Sequence, residues 1–106
     1  MNYKEILEKA NETARKSTFI TEGEDVMIYP CGFANVYFEK GKRNPVGKAM
    51  FEQELVDWDD YRKCYYIWIS EEYNQSYNHK RRHADILAKI LTEKLGVPVY
   101  STGRLD

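Results

Sequence analysis

The stretch from Cys64 to Ser101 constrains this chain most. It opens on an apolar run, Cys64-Tyr65-Tyr66-Ile67-Trp68-Ile69-Ser70, and passes through a polar loop, Glu71 to Asn78. A helical pattern follows over 79–95, in which Ala84, Leu87, Ala88, Leu91 and Leu95 recur at spacings of three and four to make one apolar stripe. Gly96 suits a left-handed C-cap, Lys94 suits the negative end of the helix dipole, and Pro98 prevents continuation. A second short apolar run, Val97-Pro98-Val99-Tyr100, then returns. Strand, loop, helix and strand in this order predict a β-α-β crossover. The simplest arrangement places Val97–Tyr100 parallel to and beside Cys64–Ser70, with a right-handed connection. The first strand is apolar on both faces, which predicts a central position with a covering layer on each side.

The upstream segments are expected to pack around this unit. Tyr3, Ile6, Leu7, Ala10 and Ala14 form one stripe, so residues 3–16 are predicted helical, with Asn2 and Glu5 arranged as a capping box. Ser17 to Ile20 is expected to be extended, and Glu22-Gly23-Glu24-Asp25 to turn. Val26–Tyr29 and Phe33–Glu39 are strand candidates, separated by Pro30-Cys31-Gly32, where the chain loses a donor and gains backbone freedom. In the second of them Ala34, Val36 and Phe38 share one side, and Phe33, Asn35 and Tyr37 the other. The two are expected to pair antiparallel. Asn44 as cap and Pro45 at the first helical position predict a short helix to about Leu55, although Gly47 weakens it by about 1 kcal/mol relative to alanine. Asp57 to Asp60 reads as loop. The expectation is one globular domain spanning 1–106, α/β or α+β: a mixed sheet of about four strands, about three helices, and a C-terminal β-α-β unit.

Composition narrows the function classes. With 16 basic and 17 acidic residues the chain is formally −1, which excludes a wholesale polybasic binder and leaves room for a local basic patch. Two cysteines, Cys31 and Cys64, are too few for a disulfide framework, so a reducing, cytoplasmic setting is expected. No apolar run approaches the roughly 18 residues of a membrane span, and no signal-peptide pattern opens the chain. No nucleophile-elbow, P-loop or dinucleotide-binding glycine pattern occurs.

The loop Ser70 to His83 lies where open α/β sheets collect ligands, outside the carboxyl ends of the strands. It carries Tyr73, Asn74, Gln75, Ser76 and Tyr77, and it leads into Lys80, Arg81 and Arg82 at the positive end of the helix dipole. Each exposed cation there is unfavourable by about 0.3–1 kcal/mol, and a bound anion reverses that sign. The sequence therefore proposes an anion site made by Asn74, Gln75, Ser76, Lys80, Arg81 and Arg82, with Tyr73 and Tyr77 stacking on bases or packing at a protein interface. The bland alternative is a helix capped by Ser76 or Asn78, with its cations neutralised by Glu71 and Glu72. His79 and His83, four apart, have a two-ligand zinc spacing, but their line continues through Leu87, Leu91 and Leu95, so packed or capping histidines are expected and no metal is assigned. The acidic run Glu52, Glu54, Asp57, Asp59 and Asp60 offers carboxylates for Mg²⁺, as a nuclease needs, or a solvated surface.

Three fragments together carry a resemblance: Cys31-Gly32-Phe33-Ala34; Ile67-Trp68-Ile69 followed by Tyr73-Asn74-Gln75-Ser76; and the terminal Gly103-Arg104 with Asp106. Over 31–106 the chain resembles a group of small uncharacterised proteins encoded by bacteriophages and prophages. The resemblance implies a source and a size class and no reaction. It directs interest to Asn74, Gln75, Ser76, Arg104 and Asp106. The expected function is that of a small non-enzymatic accessory binder in the host cytoplasm, without cofactor. It would recognise a host protein or an anionic partner, nucleic acid or phosphate, through the Tyr73–His83 face, as an inhibitor of a host defence system would. Self-association is compatible with the tyrosine-rich surface. The alternative is a small metal-dependent enzyme acting on nucleotides or nucleic acid.

Overall fold

The computed structural model describes residues 2–25, 30–69, 73 and 76–105. Helix α1 spans Tyr3–Glu22, strand β1 Gly32–Phe38, helix α2 Pro45–Glu52, β2 Asp57–Asp59, β3 Cys64–Trp68, α3 Tyr77–Leu95 and β4 Val99–Leu105, and a 3-10 turn lies at Gly41–Arg43. The strands form a four-stranded sheet in the order β2-β3-β1-β4. All neighbouring pairs are antiparallel. The molecule is an α+β domain, with α3 lying across β1 and β4 and α1 packed against α3. No helix among the described residues is long and apolar enough to cross a membrane.

The C-terminal β-α-β unit exists, but in split form. β3 and β4 run in the same direction with β1 inserted between them, because both pair antiparallel to β1. The predicted neighbourhood of Val97–Tyr100 and Cys64–Ser70 is therefore wrong, and among the described residues the sheet contains no parallel pair. β1, α2 and β2 make a second split unit of the same kind. The chain order and strand order together are those of ferredoxin-like sheets, with α1 added in front. β4 is also longer than its apolar run. Its second half, Ser101 to Leu105, finds partners along β1 from Val36↔Ser101 to Gly32↔Leu105.

Local signals explain most element ends. The Asn2 side chain accepts from the Glu5 amide at 3.1 Å and starts α1. The helix does not stop near residue 16. The buried Thr18 hydroxyl donates to the Ala14 carbonyl at 2.7 Å, and Phe19 packs against Tyr73 and His79, so tertiary contact carries the helix to Gly23. Asn44 Oδ1 accepts from the amides of Val46 and Gly47 and caps α2, with Pro45 at its first position. Gly47 has a packing reason: a Cβ there would meet the Tyr65 ring at 2.8 Å. Ser76 caps α3, and Gly96, at φ +70°, ends it in the left-handed region.

One further predicted segment needs correction, and another lies outside the described residues. Asp57–Asp59 is an edge strand rather than loop. It pairs with β3, and Trp58 sets its ring edge-on to Tyr65 at 4.8 Å. Asp59 then closes the hairpin by accepting from the amides of Tyr61 and Arg62. The hairpin expected of Val26–Tyr29 falls on residues outside those described. The core gathers Leu7, Ala10 and Ala14 of α1, Ala34, Val36 and Phe38 of β1, Met50 of α2, and the predicted stripe Ala84, Leu87, Ala88, Leu91 and Leu95 of α3.

Candidate nucleic-acid interface

The helices cover one face of the sheet. Alternation along β1 sends Ala34, Val36 and Phe38 into the core and Phe33, Asn35 and Tyr37 to the opposite face. Register then decides which side chains join them there. Tyr66, Tyr37 and Tyr100 line up in one row across β3, β1 and β4; Trp68, Asn35 and Thr102 make the next; Phe33 and Arg104 lie opposite each other beyond it. The expectation that β3 is covered on both sides fails here. Trp68 is 46% exposed and Tyr100 43%.

These rings form two clusters. Phe33 and Trp68 have centroids 5.7 Å apart, and Tyr37 and Tyr100 lie 5.6 Å apart. The clusters are separated by four residues along β1, roughly 13 Å. A guanidinium lies on each. Arg104 sits 6.0 Å from the Phe33 centroid. Arg62 reaches from the β2–β3 turn to lie 5.6 Å from Tyr37 and 5.9 Å from Tyr66. Its Nη2 donates to Asn35 Oδ1 at 3.1 Å and its Nε to Asp59 Oδ2 at 2.7 Å. That second bond holds the Asp59 carboxyl below its ordinary range. Asp60 is likewise lowered, chiefly by Lys63 Nζ at 2.9 Å. Two of the five carboxylates of the run considered for Mg²⁺, Asp59 and Asp60, are thus committed to cations of their own hairpin. Among the described residues no group of three or more His, Cys, Asp or Glu is placed to hold a metal ion.

The residues predicted from the Tyr73–His83 stretch divide. Tyr73 is fully buried, packed between Phe19 and the two histidines, and presents no surface for a base. Ser76 is a buried cap whose Oγ accepts from the His79 amide. Lys80 is 4% exposed, with its Nζ donating to the Gly32 carbonyl at 3.3 Å. Arg81 pairs with Asp85 at 3.3 Å and Arg82 with Glu22 at 3.4 Å, so the positive helix end is balanced by carboxylates of this chain. Tyr77 is half-buried against Gly32 and Gly103. Asn74, Gln75 and Asp106 lie outside the described residues. Of the ten, Arg104 stands on the open sheet face.

The histidines are packed, and both ring nitrogens of each are used. His83 Nε2 lies 2.9 Å from Asn11 Oδ1, and His79 Nε2 lies 2.7 Å from the Gly23 carbonyl; both oxygens accept, so both Nε2 atoms donate. His83 Nδ1 then accepts from the Tyr73 hydroxyl at 2.6 Å, and His79 Nδ1 from Ser76 Oγ at 2.7 Å. Neither ring has a lone pair free for a metal. Burial, with a smaller push from Arg15, lowers the pKa of His83 to about 4. Burial pushes the Cys64 thiol up, which makes it a poor nucleophile, while Cys31 is exposed.

Sequence reasoning missed the open face because the strand carrying Tyr66 and Trp68 was expected to be covered on both sides, and nothing local marks the side of Phe33, Tyr37 and Tyr100 as the one left to solvent. The signal that was present is the odd-position side of β1, Phe33-x-x-x-Tyr37 around a polar Asn35. No family model matches the chain, and neither a curated protein nor a solved structure matches it.

Proposed function

We propose that this protein is a non-enzymatic binder that takes single-stranded nucleic acid on the open face of its sheet. The observation that carries the reading is the pair of aromatic clusters on the two central strands and β4, each with an arginine across it. Flat, half-exposed rings stack on bases irrespective of sequence, at about 1–3 kcal/mol per base. Four-stranded sheets with aromatics on their central strands serve RNA-recognition modules in this way, each holding two or three bases. Arg104 stands where it neutralises a phosphate alongside, while Arg62, already paired with Asp59, adds its guanidinium face to the tyrosine row. Fold alone does not carry this assignment; these side chains do.

The anionic partner expected from the sequence is retained in this reading, and its place moves from the helix start to the sheet. A phage-encoded accessory factor acting in the host cytoplasm, including one that blocks a host defence system, is the setting we propose from the sequence resemblance. A second reading has one observation in its favour: Tyr, Trp and Arg on an exposed face are also what protein interfaces concentrate at their centres.

Fluorescence anisotropy with labelled ten-nucleotide DNA and RNA strands tests the assignment. Wild type should bind both, more weakly as salt rises. Trp68→Ala and Tyr100→Ala should each weaken binding by roughly 5- to 100-fold. No anisotropy change with wild type, or undiminished binding by the double variant, refutes the reading and favours the protein partner.

A further inference from the structure

Next to the Tyr37–Tyr100 cluster the sheet face runs into a cavity of about 810 Å³, formed where the loop after β1 meets the β2–β3 turn. Lys40, Lys42, Arg43, Arg62 and Lys63 line it with Trp58, against one carboxylate, Glu39. Arg62 and Lys63 are held by Asp59 and Asp60. Lys40, Lys42 and Arg43 form no salt bridge among the described residues; Lys42 instead places its Nζ 5.2 Å from the Trp58 ring centre.

The loop bearing these cations is tied down. The Arg43 amide donates to the Lys40 carbonyl at 3.0 Å, the Asn44 amide to Gly41 at 3.1 Å, and the Asn44 side chain to Glu39 at 3.0 Å. Gly41, at φ +53°, approaches the Lys63 carbonyl so closely that a Cβ would meet its oxygen at 2.6 Å. The braced backbone carries the three exposed side chains on one rim of the cavity, so an anion there meets them with the entropy of ordering the loop already spent.

We infer that this cavity receives the terminal phosphate of the strand whose bases lie on the sheet, so that the protein binds nucleic-acid ends. The inference rests on the sheet-face reading. A terminal phosphomonoester carries about 1.5 to 2 negative charges at neutral pH and an internal diester one, and a loop with three cations outside any salt bridge, Lys42 alone among them partly offset by the nearby Asp60 carboxylate, fits the former better. The cavity also borders the sheet face directly, through Tyr37 and Thr102, so a base stacked on the tyrosine row has its phosphate beside Arg62 and the loop.

Three ten-nucleotide DNA strands, one with a 5′-phosphate, one with a 3′-phosphate and one with neither, are compared by anisotropy, the label placed on the end without phosphate. One phosphorylated end should bind roughly fivefold or more tighter than the unphosphorylated strand. Lys42→Gln with Arg43→Gln should abolish that gain, leaving the unphosphorylated strand bound through the sheet. Circular dichroism confirms that the variant is folded; if it is not, pyrophosphate competition against wild type replaces it, and must displace the phosphorylated strand selectively. Equal binding of all three strands overturns the inference and leaves the sheet-face reading standing. Absence of binding by any strand overturns both.

Discussion

The buried His83 makes acid sensitivity a quantitative expectation. The ring is 4% exposed and accepts the Tyr73 hydroxyl proton at Nδ1, so protonation would both charge a desolvated group and force that hydrogen bond to reverse its direction. Its folded pKa is lowered to about 4 from an ordinary 6.5. The unfolded chain therefore takes up the proton first as pH falls, and folding stability is full above about 6.5, declines through the window, and bottoms out below about 4. Linkage between these values gives a loss of about 2 kcal/mol from pH 7 to pH 5, and about 3 kcal/mol by pH 4. The interval from pH 7 to 5 lies above the titration of exposed carboxylates, so they contribute little there, and the comparison with a His83 variant separates this ring from His79. Urea unfolding at pH 7, 6 and 5 measures the loss, and His83→Gln should flatten the dependence. The His83 Cε1 proton resonance reports the same event residue by residue. A midpoint at pH 6 or above, or equal stability of wild type at pH 5 and pH 7, refutes the assignment of a neutral, hydrogen-bonded His83.

Other perturbations follow from close approaches and caps. Gly32→Ala places a Cβ 2.6 Å from the Tyr77 ring and 2.8 Å from the Arg104 carbonyl oxygen; the backbone oxygen cannot move aside cheaply, and a loss of about 1–3 kcal/mol in urea unfolding is expected. Asn44→Ala removes the α2 cap and the bond to Glu39 together, for about 1–2 kcal/mol, and an unchanged midpoint would show that neither bond persists in solution. Leu91→Ala, in the fully buried α3 stripe, should lose about 2–5 kcal/mol, and a loss under 1 kcal/mol would contradict the packing of α3 on the sheet.

Local chemistry in the chain was legible wherever it acts within a few residues. The caps at Asn2 and Asn44, the stop at Gly96, the apolar stripe of α3 and the alternation of β1 all follow from side-chain reach and helical or strand periodicity, and all are present. Tertiary structure decided what depends on partners far away in sequence. A helical crossover has the same signature whether zero or one strand lies between its ends, so only pairing showed that β1 separates β3 from β4. Asp57–Asp59 became a strand because β3 offered it a ladder. The same holds for the site. Tyr73 and Trp68 are both aromatic residues near one loop, yet Phe19 of α1 closes over the first, while the second stands on the sheet face turned away from the helices. Hydrophobic character sets the drive to be buried, and the geometry of the whole assembly determines which rings are left facing water.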